Sequence, residues 1–304
     1  MSAVEAMDPT CPICRSQSSR WVAESHKLKV ARCLVCGHGY VWPVPSADFI
    51  ESIYREKTYY EGSGDSIGFH DYASLEPART RMFNRHLDRL EASVAVGRIL
   101  DVGCANGEFL KVARARGWQV LGADPSAARL EVEANGIKLV GTTVRDADVE
   151  EGSLDAITFW DVLEHVTNPV ADLTRARELL KPDGVLALTV PDSSNLLARL
   201  SGRRWFGFKT AGEHLQFYTA SSLARALEQA RFAVKAREAT TWSSTLGFLA
   251  DRFGLYLGAP GRLAHSVLSR PSFATRVIDV PQINQFALAV PAPVAAKVRD
   301  GAVA

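Results

Sequence analysis

From Gly97 onward, short apolar runs alternate with segments of helical periodicity. The apolar runs have the length of strands and several end at glycine or an acidic residue; in order they are RILDVG, WQVLGAD, IKLVGTTV, LDAITFWDV and VLALTV. Strands that alternate with helices of about 10–15 residues indicate a parallel sheet with helices on both faces. The pattern therefore predicts a doubly wound α/β domain.

Capping residues mark the starts of several predicted helices. Asn168 precedes Pro169, and Thr219 precedes the segment ASSLARALEQAR. Asparagine and threonine cap helices with a side-chain oxygen, and proline suits the first helical position. Ser126 is expected to cap a third helix in the same way. The apolar spacing between Tyr72 and Glu91 predicts a helix before the first strand.

The C-terminal part contains two further strand-like runs, FAVKAREAT and NQFALAV. About 40 residues separate them, 243–283, with apolar and arginine positions mixed. We expect this segment to be a helical insertion that serves as a substrate lid or a subunit contact. A helix lying on a membrane surface is the other interpretation.

Four of the five cysteines occur as two CxxC pairs near the N-terminus. Their spacing suits four thiolates on one zinc ion, which would leave no open coordination position and would make the metal structural. Two unrelated reduced pairs are the alternative. His26 and His38 lie nearby and are not counted as ligands. The predicted ligands are Cys11, Cys14, Cys33 and Cys36.

These features divide the chain into three predicted parts. We expect a zinc ribbon over residues 1–45, a helical lead-in over residues 46–95 and the main domain over residues 96–304. Within the lead-in, residues 46–66 are expected to include a flexible link. We also expect the ribbon to have a core of its own, separate from that of the main domain.

Composition narrows the class of protein. The chain has 304 residues, of which 47% are hydrophobic and 23% charged, with a net charge of +1. These values are typical of a globular domain and exclude a disordered or fibrous protein. No apolar run is long enough for a membrane-spanning helix, and the N-terminus lacks a signal-peptide pattern, so a cytoplasmic location is expected. The basic final third favours an anionic substrate or an anionic surface.

A glycine-containing turn follows the first strand of the main domain. The segment ILDVGCANGEF places Asp101, Gly103 and Gly107 between a strand and a helix, where glycines let the backbone approach a ligand. Asp124 ends the next strand and could accept hydrogen bonds from both hydroxyls of a ribose. An ordinary tight turn is the alternative for the glycines alone.

Four segments in succession carry a family resemblance: ILDVGCANG, GADPS, SLDAITFWDVLEHVTNP and LLKPDGVLALTVP. Together they resemble the motifs of class I S-adenosylmethionine-dependent methyltransferases. The resemblance implies a Rossmann-like sheet of seven strands with an antiparallel last strand. It also implies transfer of a methyl group from S-adenosylmethionine to an oxygen, nitrogen or carbon nucleophile.

The resemblance assigns cofactor contacts to three motifs. The first would hold the methionine end, the second the ribose, and the third would line the sulfonium side. The family usually has glycine where this chain has Ala105, and the Cys104 thiol is expected to fill space rather than to react. The cofactor-binding residues so implied are Asp101, Gly103, Cys104, Gly107, Asp124, Pro125, Trp160 and Asp161.

The ribbon and a later segment, GEHLQFYT, resemble bacterial methyltransferases that act on sugars and other glycan or secondary-metabolite precursors. In sugar C-methylating relatives a histidine in this region is the base, so the resemblance implies His214 as a catalytic base. The alternative is that His214 ties down its loop by a hydrogen bond. His165, in the third motif, is expected to be structural.

A basic loop with aromatic residues, RLSGRRWFGFK, follows the fifth strand. It could clamp a phosphate beside a stacking platform, or it could be a solvated loop with its aromatic rings in the core. The residues concerned are Arg199, Arg203, Arg204 and Lys209, with Trp205, Phe206 and Phe208.

The expected activity is methylation of a small anionic acceptor, such as a nucleotide-linked sugar or a glycan precursor. One alternative is an RNA or protein methyltransferase that docks through the ribbon. A second is a non-catalytic binding protein that retains the fold. Residues 1–90 carry no net charge and the middle of the chain is acidic, so a continuous track for nucleic acid is not expected. Peripheral membrane contact stays open.

Overall fold

The computed structural model describes residues 9–25, 27–46, 48–50, 75–126, 128–250, 265, 266, 268 and 270–293. The strands in chain order are β1 (Ser19–Ser25), β2 (Leu28–Cys33), β3 (Gly39–Trp42), β4 (Arg98–Val102), β5 (Gln119–Ala123), β6 (Lys138–Gly141), β7 (Leu154–Trp160), β8 (Leu180–Pro191), β9 (Gln216–Phe217), β10 (Phe232–Thr245) and β11 (Val277–Pro291). The flexible link predicted within 46–66 lies almost wholly outside the described residues.

Seven strands form the main sheet in the order β10-β11-β8-β7-β4-β5-β6. The strands β6, β5, β4, β7 and β8 are parallel, and β11 runs antiparallel to β8 and β10 on either side of it. The prediction of a doubly wound sheet with an antiparallel last strand is therefore confirmed. The carboxyl ends of the parallel strands meet along one edge, where open α/β sheets bind their ligands.

The helices are α1 (Glu76–Glu91), α2 (Glu108–Ala115), α3 (Arg129–Ala134), α4 (Pro169–Leu179), α5 (Leu196–Ser201), α6 (Ala220–Gln229) and α7 (Pro271–Ala274), with 3-10 turns at Gly202–Arg204 and Phe206–Thr210. Asn168 caps α4 by accepting a hydrogen bond from the Ala171 amide at 3.3 Å. Thr219 caps α6 in a capping box with Ser222. These two of the three predicted caps are confirmed. No helix in the described part of the chain is both long and apolar enough to cross a membrane.

One local prediction is wrong and a second is wrong in its bounds. Ser126 does not cap α3; its hydroxyl instead donates to the carboxylate of Asp124. The helical insertion predicted over 243–283 is strand at both ends, because β10 continues to Thr245 and β11 begins at Val277, paired with each other, whereas residues 246–250 and 271–274 between these strands are helical. Val277, Ile278 and Val280 are β-branched, and that signal favours strand. Residues 251–264 lie outside the described residues.

The N-terminal strands form a second, smaller sheet in the order β1-β2-β3-β9. Its fourth strand is β9, from the segment HLQF, so the ribbon's sheet is completed by the main domain. Gly39 pairs with Phe217 and Tyr40 with Gln216 in antiparallel register. The Val41 amide also donates to the Leu215 carbonyl at 2.9 Å.

The ribbon and the main sheet share a hydrophobic core. Cys11, Ile13 and Tyr40 of the ribbon belong to one cluster of buried residues with Tyr218 and Leu223, and that cluster extends to β4, β7 and β8. The expectation of a separate ribbon core is therefore wrong. Three short strands bury too little apolar surface to form a core alone, so they pack on the neighbouring domain.

His38 joins the two sheets through polar contacts. Its ring is fully buried, with Nε2 at 2.9 Å from Gln216 Oε1 and Nδ1 at 3.3 Å from Ser222 Oγ. The Tyr218 ring lies 4.9 Å away, centroid to centroid. Buried polar groups without partners are costly, so these hydrogen bonds fix the position of the ribbon.

Replacement of His38 tests this docking. His38→Ala should lower the free energy of unfolding by about 2–4 kcal/mol, since it leaves a cavity and removes the partner of a buried amide oxygen. Chemical denaturation measures the loss, and His265→Ala, at an exposed histidine, is the matched control. Equal losses in the two variants would show that His38 does not hold the ribbon.

Candidate active site

The turn after β4 has the conformation that a close-approaching ligand needs. Gly103 and Gly107 have φ of 72° and 77°, and Gly107 caps the start of α2. A Cβ atom on Gly103 would lie 2.5 Å from Val162 Cγ2, so no side chain fits there. The glycines leave a bare backbone surface at the carboxyl edge of the sheet.

Ala105 occupies the same turn in a left-handed conformation, with φ of 46°. An L-residue with a side chain pays about 1–2 kcal/mol for that conformation, which explains why glycine is usual at this position. The Ala105 amide donates to Asp124 Oδ2 at 2.8 Å, and this hydrogen bond offsets part of the strain. Strain of this kind collects at functional sites.

Asp101 is a buried carboxyl group beneath the turn. Thr158 Oγ1 donates to its Oδ1 at 2.6 Å. Burial, together with the nearby Asp124, raises the pKa of Asp101 to about 8. A positively charged group at this point would stabilise its ionised form, so the site fits the ammonium end of a bound amino acid.

Asp124 lies at the end of β5, as predicted, but its carboxylate is already largely occupied. One oxygen accepts the Ala105 amide, and the other accepts the Ser126 amide at 2.8 Å and the Ser126 hydroxyl. A carboxylate offers about four acceptor positions, so about one is left for a ribose hydroxyl. Pro125 follows it at the surface.

Cys104 has a packing role in the structure. Its sulfur lies against Gly122, and burial raises the pKa of its thiol. Its amide donates to the Ala123 carbonyl and its carbonyl accepts the Gly107 amide at 2.8 Å. The predicted space-filling thiol agrees with this geometry, whereas its place among the cofactor contacts gains no support.

Trp160 ends β7 inside an aromatic stack that the sequence did not predict. The His86 ring stacks on it at 4.6 Å, and the Phe286 ring lies 5.4 Å from His86. The indole Nε1 of Trp160 and Nδ1 of His86 are buried and have no hydrogen-bond partner among the described residues. Unpaired buried polar atoms at a sheet edge are suited to a ligand.

Asp161 follows Trp160 with φ of 54°, a second strained residue at this edge. Its Oδ1 accepts hydrogen bonds from Thr189 Oγ1 at 3.0 Å and from Asn284 Nδ2 at 2.8 Å. These contacts tie the carboxyl ends of β7 and β8 to the middle of β11. Asn284 is the first residue of the predicted strand run NQFALAV, and no sequence signal marked its role.

A cluster of titratable residues lies beside this edge. The ligating atoms of Glu164, His165 and His214 are all within 4.8 Å of one another. Burial lowers the pKa of His214 well below 6.5 and that of His165 to about 4, and burial with the charge of Asp161 raises the pKa of Glu164. Both imidazoles are therefore uncharged near neutral pH and can accept a proton.

Backbone hydrogen bonds bring this cluster together. The Glu164 carbonyl accepts the amides of Leu215 and Gln216 at 2.8 and 2.9 Å. His165 Nδ1 donates to the Glu213 carbonyl at 2.8 Å, and the His165 and His214 rings lie 4.7 Å apart. His165 was expected to be structural, and its hydrogen bond agrees with that. The His214 ring makes no hydrogen bond to a described residue, so the loop-tying alternative gains no support.

The four predicted cysteines converge at the base of the ribbon. Cys11 and Cys36 Sγ lie 3.6 Å apart, and Cys14 and Cys33 Sγ lie 3.5 Å apart. All four sulfurs are within 4.8 Å of one another. Tetrahedral zinc with bonds of about 2.3 Å requires sulfur separations of about 3.8 Å, so the arrangement fits a zinc ion.

Sequence comparison places this chain in a known family. Residues 74–236, more than half of the chain, match the model of a methyltransferase domain, and the chain belongs to that family. The ubiquinone biosynthesis O-methyltransferase of Rhodopseudomonas palustris (strain BisA53) is 29% identical over 201 residues, 62% of this chain and 77% of the relative. That of Dinoroseobacter shibae (strain DSM 16493 / NCIMB 14021 / DFL 12) is 32% identical over 145 residues, 44% of this chain and 58% of the relative.

Structural comparison agrees on the fold. A crystal structure from Bacillus halodurans C-125, described as a methyltransferase, superposes with a TM-score of 0.50 at 17% identity, covering 69% of this chain and 99% of that one. Family and fold together identify the chain as a class I methyltransferase that uses S-adenosylmethionine. The glycine turn, the buried Asp101 and the aromatic stack lie at the carboxyl edge of the sheet, where open α/β folds bind their ligands.

The raised pKa of Asp101 predicts a pH-dependent stability. Its folded-state pKa of about 8 lies above its ordinary value of 3.8, so the folded protein retains a proton that the unfolded chain releases. Stability is then lost as the pH rises towards 8, by at most about 1.4 kcal/mol per pH unit. Between pH 6 and pH 8 the cofactor-free protein should lose about 1–3 kcal/mol.

Asp101→Asn should remove this loss, because an amide does not titrate and can still accept the Thr158 hydrogen bond. Urea denaturation at both pH values measures the difference. Asp148→Asn, at an exposed carboxylate, is the control. If the Asp101 variant keeps the pH slope of the wild-type protein, the carboxyl group is already ionised below pH 6.

Proposed function

We propose that this protein transfers a methyl group from S-adenosylmethionine to an oxygen of a small anionic acceptor, such as a nucleotide-linked sugar or a glycan precursor. The cluster of Glu164, His165 and His214 is the observation that supports oxygen as the methylated atom. A hydroxyl group must lose its proton as it is methylated, and the two uncharged imidazoles of this cluster can accept it. The relatives above are named O-methyltransferases, which supports the same chemistry.

The cofactor site is proposed on the residues around the glycine turn. When bound, S-adenosylmethionine supplies an electrophilic methyl group. Asp101 would pair with the cofactor's ammonium group, Asp124 would accept one ribose hydroxyl, and Trp160 and Asp161 would line the side nearest the methyl group. Gly103 and Gly107 would contribute their bare backbone, and Pro125 the rim.

His214 is proposed as the base. The acceptor hydroxyl would donate its proton to an imidazole nitrogen of His214 while the new carbon–oxygen bond forms and the carbon–sulfur bond breaks. Glu164 has one carboxyl oxygen, Oε2, with no hydrogen-bond partner among the described residues, so it can stabilise the resulting imidazolium. His165 would hold the loop that carries His214.

His214→Ala tests the role of the base. Turnover should fall by about 100-fold or more, while the affinity for S-adenosylmethionine stays within about a factor of two. Added imidazole should restore part of the activity, because it can replace the missing ring in the cavity. Methyl transfer to panels of nucleotide-linked sugars and of ubiquinone precursors, followed by mass spectrometry, measures both the acceptor and the methylated atom.

The lowered pKa of His214 adds a second readout to this test. The wild-type enzyme should retain its turnover below pH 6.5, and the acidic limb of the profile should disappear in His214→Ala. His265→Ala is the control at an exposed histidine. Full activity in His214→Ala would exclude the proposed base, and loss of cofactor binding together with a lower melting temperature would mark the residue as structural.

We further propose that the four cysteines bind one structural zinc ion in a ribbon over residues 1–45, ahead of a helical lead-in and a catalytic domain over 96–304. The sulfur geometry supports this proposal, since four thiolates complete a tetrahedral site. Zinc would then contribute to folding of the ribbon. The shared core extends that contribution to the main sheet.

Zinc analysis of two cysteine variants tests the metal site. The wild-type protein should contain one zinc ion per chain, and Cys33→Ser should lose it. Since the ribbon and the sheet share a core, the loss should lower the melting temperature of the whole protein in a single transition. Cys104→Ser, at the fifth cysteine, should keep its zinc. Purified protein with four titratable thiols and no zinc would contradict the proposal.

A further inference from the structure

A cleft of about 520 Å³ separates the ribbon from the segment that follows β8. One wall is formed by β1 and β2, and the other by residues 193–208, with Trp205 and Phe208 beneath. Ser193 comes two residues after the end of β8, so the cleft opens at the carboxyl edge where the methyl donor would bind. A cavity of this size accommodates a small molecule.

The ribbon wall presents two arginines at an unfavourable position. Arg20 and Arg32 lie directly opposite each other in the antiparallel pairing of β1 and β2. Like charges at opposed positions destabilise a sheet. Arg32 bears that cost most strongly, since it is half-buried whereas Arg20 is exposed.

The facing wall adds two more arginines, Arg199 and Arg203. None of the four guanidinium groups makes a salt bridge or hydrogen bond with a described residue, and no carboxylate is among the described residues that line the cleft. Elsewhere in the described structure, arginines such as Arg116 and Arg175 are paired with glutamates. Within the described part of the chain, the cleft therefore concentrates positive charge that no carboxylate in its lining compensates.

Trp21 supplies a flat surface beside these charges. It lies at the irregular step of β1, where the register shifts between Trp21 and Ala23, and its side chain is 45% exposed. Such bulges redirect side chains, which explains how neighbouring residues of one strand reach the same cleft. Lys29 Nζ lies 5.6 Å from the ring centroid.

We propose that this cleft binds a diphosphate group of the acceptor, with Arg20 and Arg32 of the ribbon and Arg199 and Arg203 of the main domain on either side of it. Arginine forks match phosphate oxygens geometrically, and two phosphates carry enough charge to engage both walls. Trp21 contacts the flat or apolar part of the same molecule. The inference rests on the proposed function. It identifies the part of the acceptor site that the ribbon contributes.

Calorimetric titration of the full-length, zinc-loaded protein with inorganic pyrophosphate tests the cleft directly. Arg32→Gln should weaken binding about tenfold or more, and Arg203→Gln, on the exposed opposite wall, about fivefold or more. Lys27→Gln removes one positive charge from the ribbon away from the cleft lining and should stay within about twofold. Zinc content and S-adenosylmethionine affinity are measured on every variant and should not change.

Two further ligands identify what the diphosphate is attached to. Uridine diphosphate should bind more tightly than pyrophosphate if a base stacks on Trp21, and Trp21→Ala should remove that gain. Farnesyl diphosphate should show the larger gain if the acceptor is a lipid diphosphate. Either pattern supports a diphosphate site in the cleft. The ligand with the larger gain shows whether the acceptor is a nucleotide or a lipid diphosphate.

Four results would overturn the proposal. The first is that pyrophosphate does not bind the wild-type protein at 10 mM, and the second is that it binds Arg203→Gln as tightly as the wild type. Zinc loss in Arg32→Gln without weaker binding in Arg203→Gln would show that Arg32 serves the thiolates instead. Tight, steeply salt-dependent binding of a single-stranded RNA in place of pyrophosphate would assign the arginines to nucleic acid. S-adenosylmethionine binding and methyl transfer could survive each of these results, so failure of the cleft is distinct from failure of the proposed function.

Discussion

The carbonyl oxygen of Glu164 accepts two consecutive backbone amides, those of Leu215 and Gln216, and much of the structure depends on this junction. It fixes the loop after β7 against β9. One side of the junction brings His214 beside His165, and the other places Gln216 where it meets His38 and pairs with Tyr40 of the ribbon. The same two hydrogen bonds thus align the proposed base, the ribbon and the arginine cleft.

Around this junction the protein keeps groups in states that are unfavourable by themselves. Asp101 and Glu164 are buried carboxyl groups, Ala105 and Asp161 have left-handed backbones, and Trp160 has an unpaired indole nitrogen. Each is costly in a protein without ligand. Their concentration at one sheet edge is expected if the ligands supply the missing charge and hydrogen bonds.

The parallel sheet and two of the three helix caps could be predicted from sequence because both depend on local chemistry. Apolar runs that alternate with helical segments specify a parallel sheet. Asn168 and Thr219 cap the helices that directly follow them in sequence, so their role does not depend on the rest of the fold. Cysteine spacing likewise predicted which four sulfurs meet. The aromatic stack of His86, Trp160 and Phe286 could not be predicted, because it joins α1, β7 and β11, which are far apart in sequence. Glu164 was missed for the same reason, since its burial depends on the later β9 segment.

The completion of the ribbon's sheet by β9 has a consequence for exchange between proteins. A ribbon whose last strand and part of whose core are borrowed from the catalytic domain cannot be moved to another enzyme as residues 1–45 alone. A functional graft would have to include the HLQF segment and the first turn of α6, with Gln216 and Ser222 for His38 to meet. Arg199 and Arg203 come from the chain just before the HLQF segment, so a graft that carries the acceptor preference has to include them too. Recombination between relatives should therefore exchange the ribbon and residues 193–222 together.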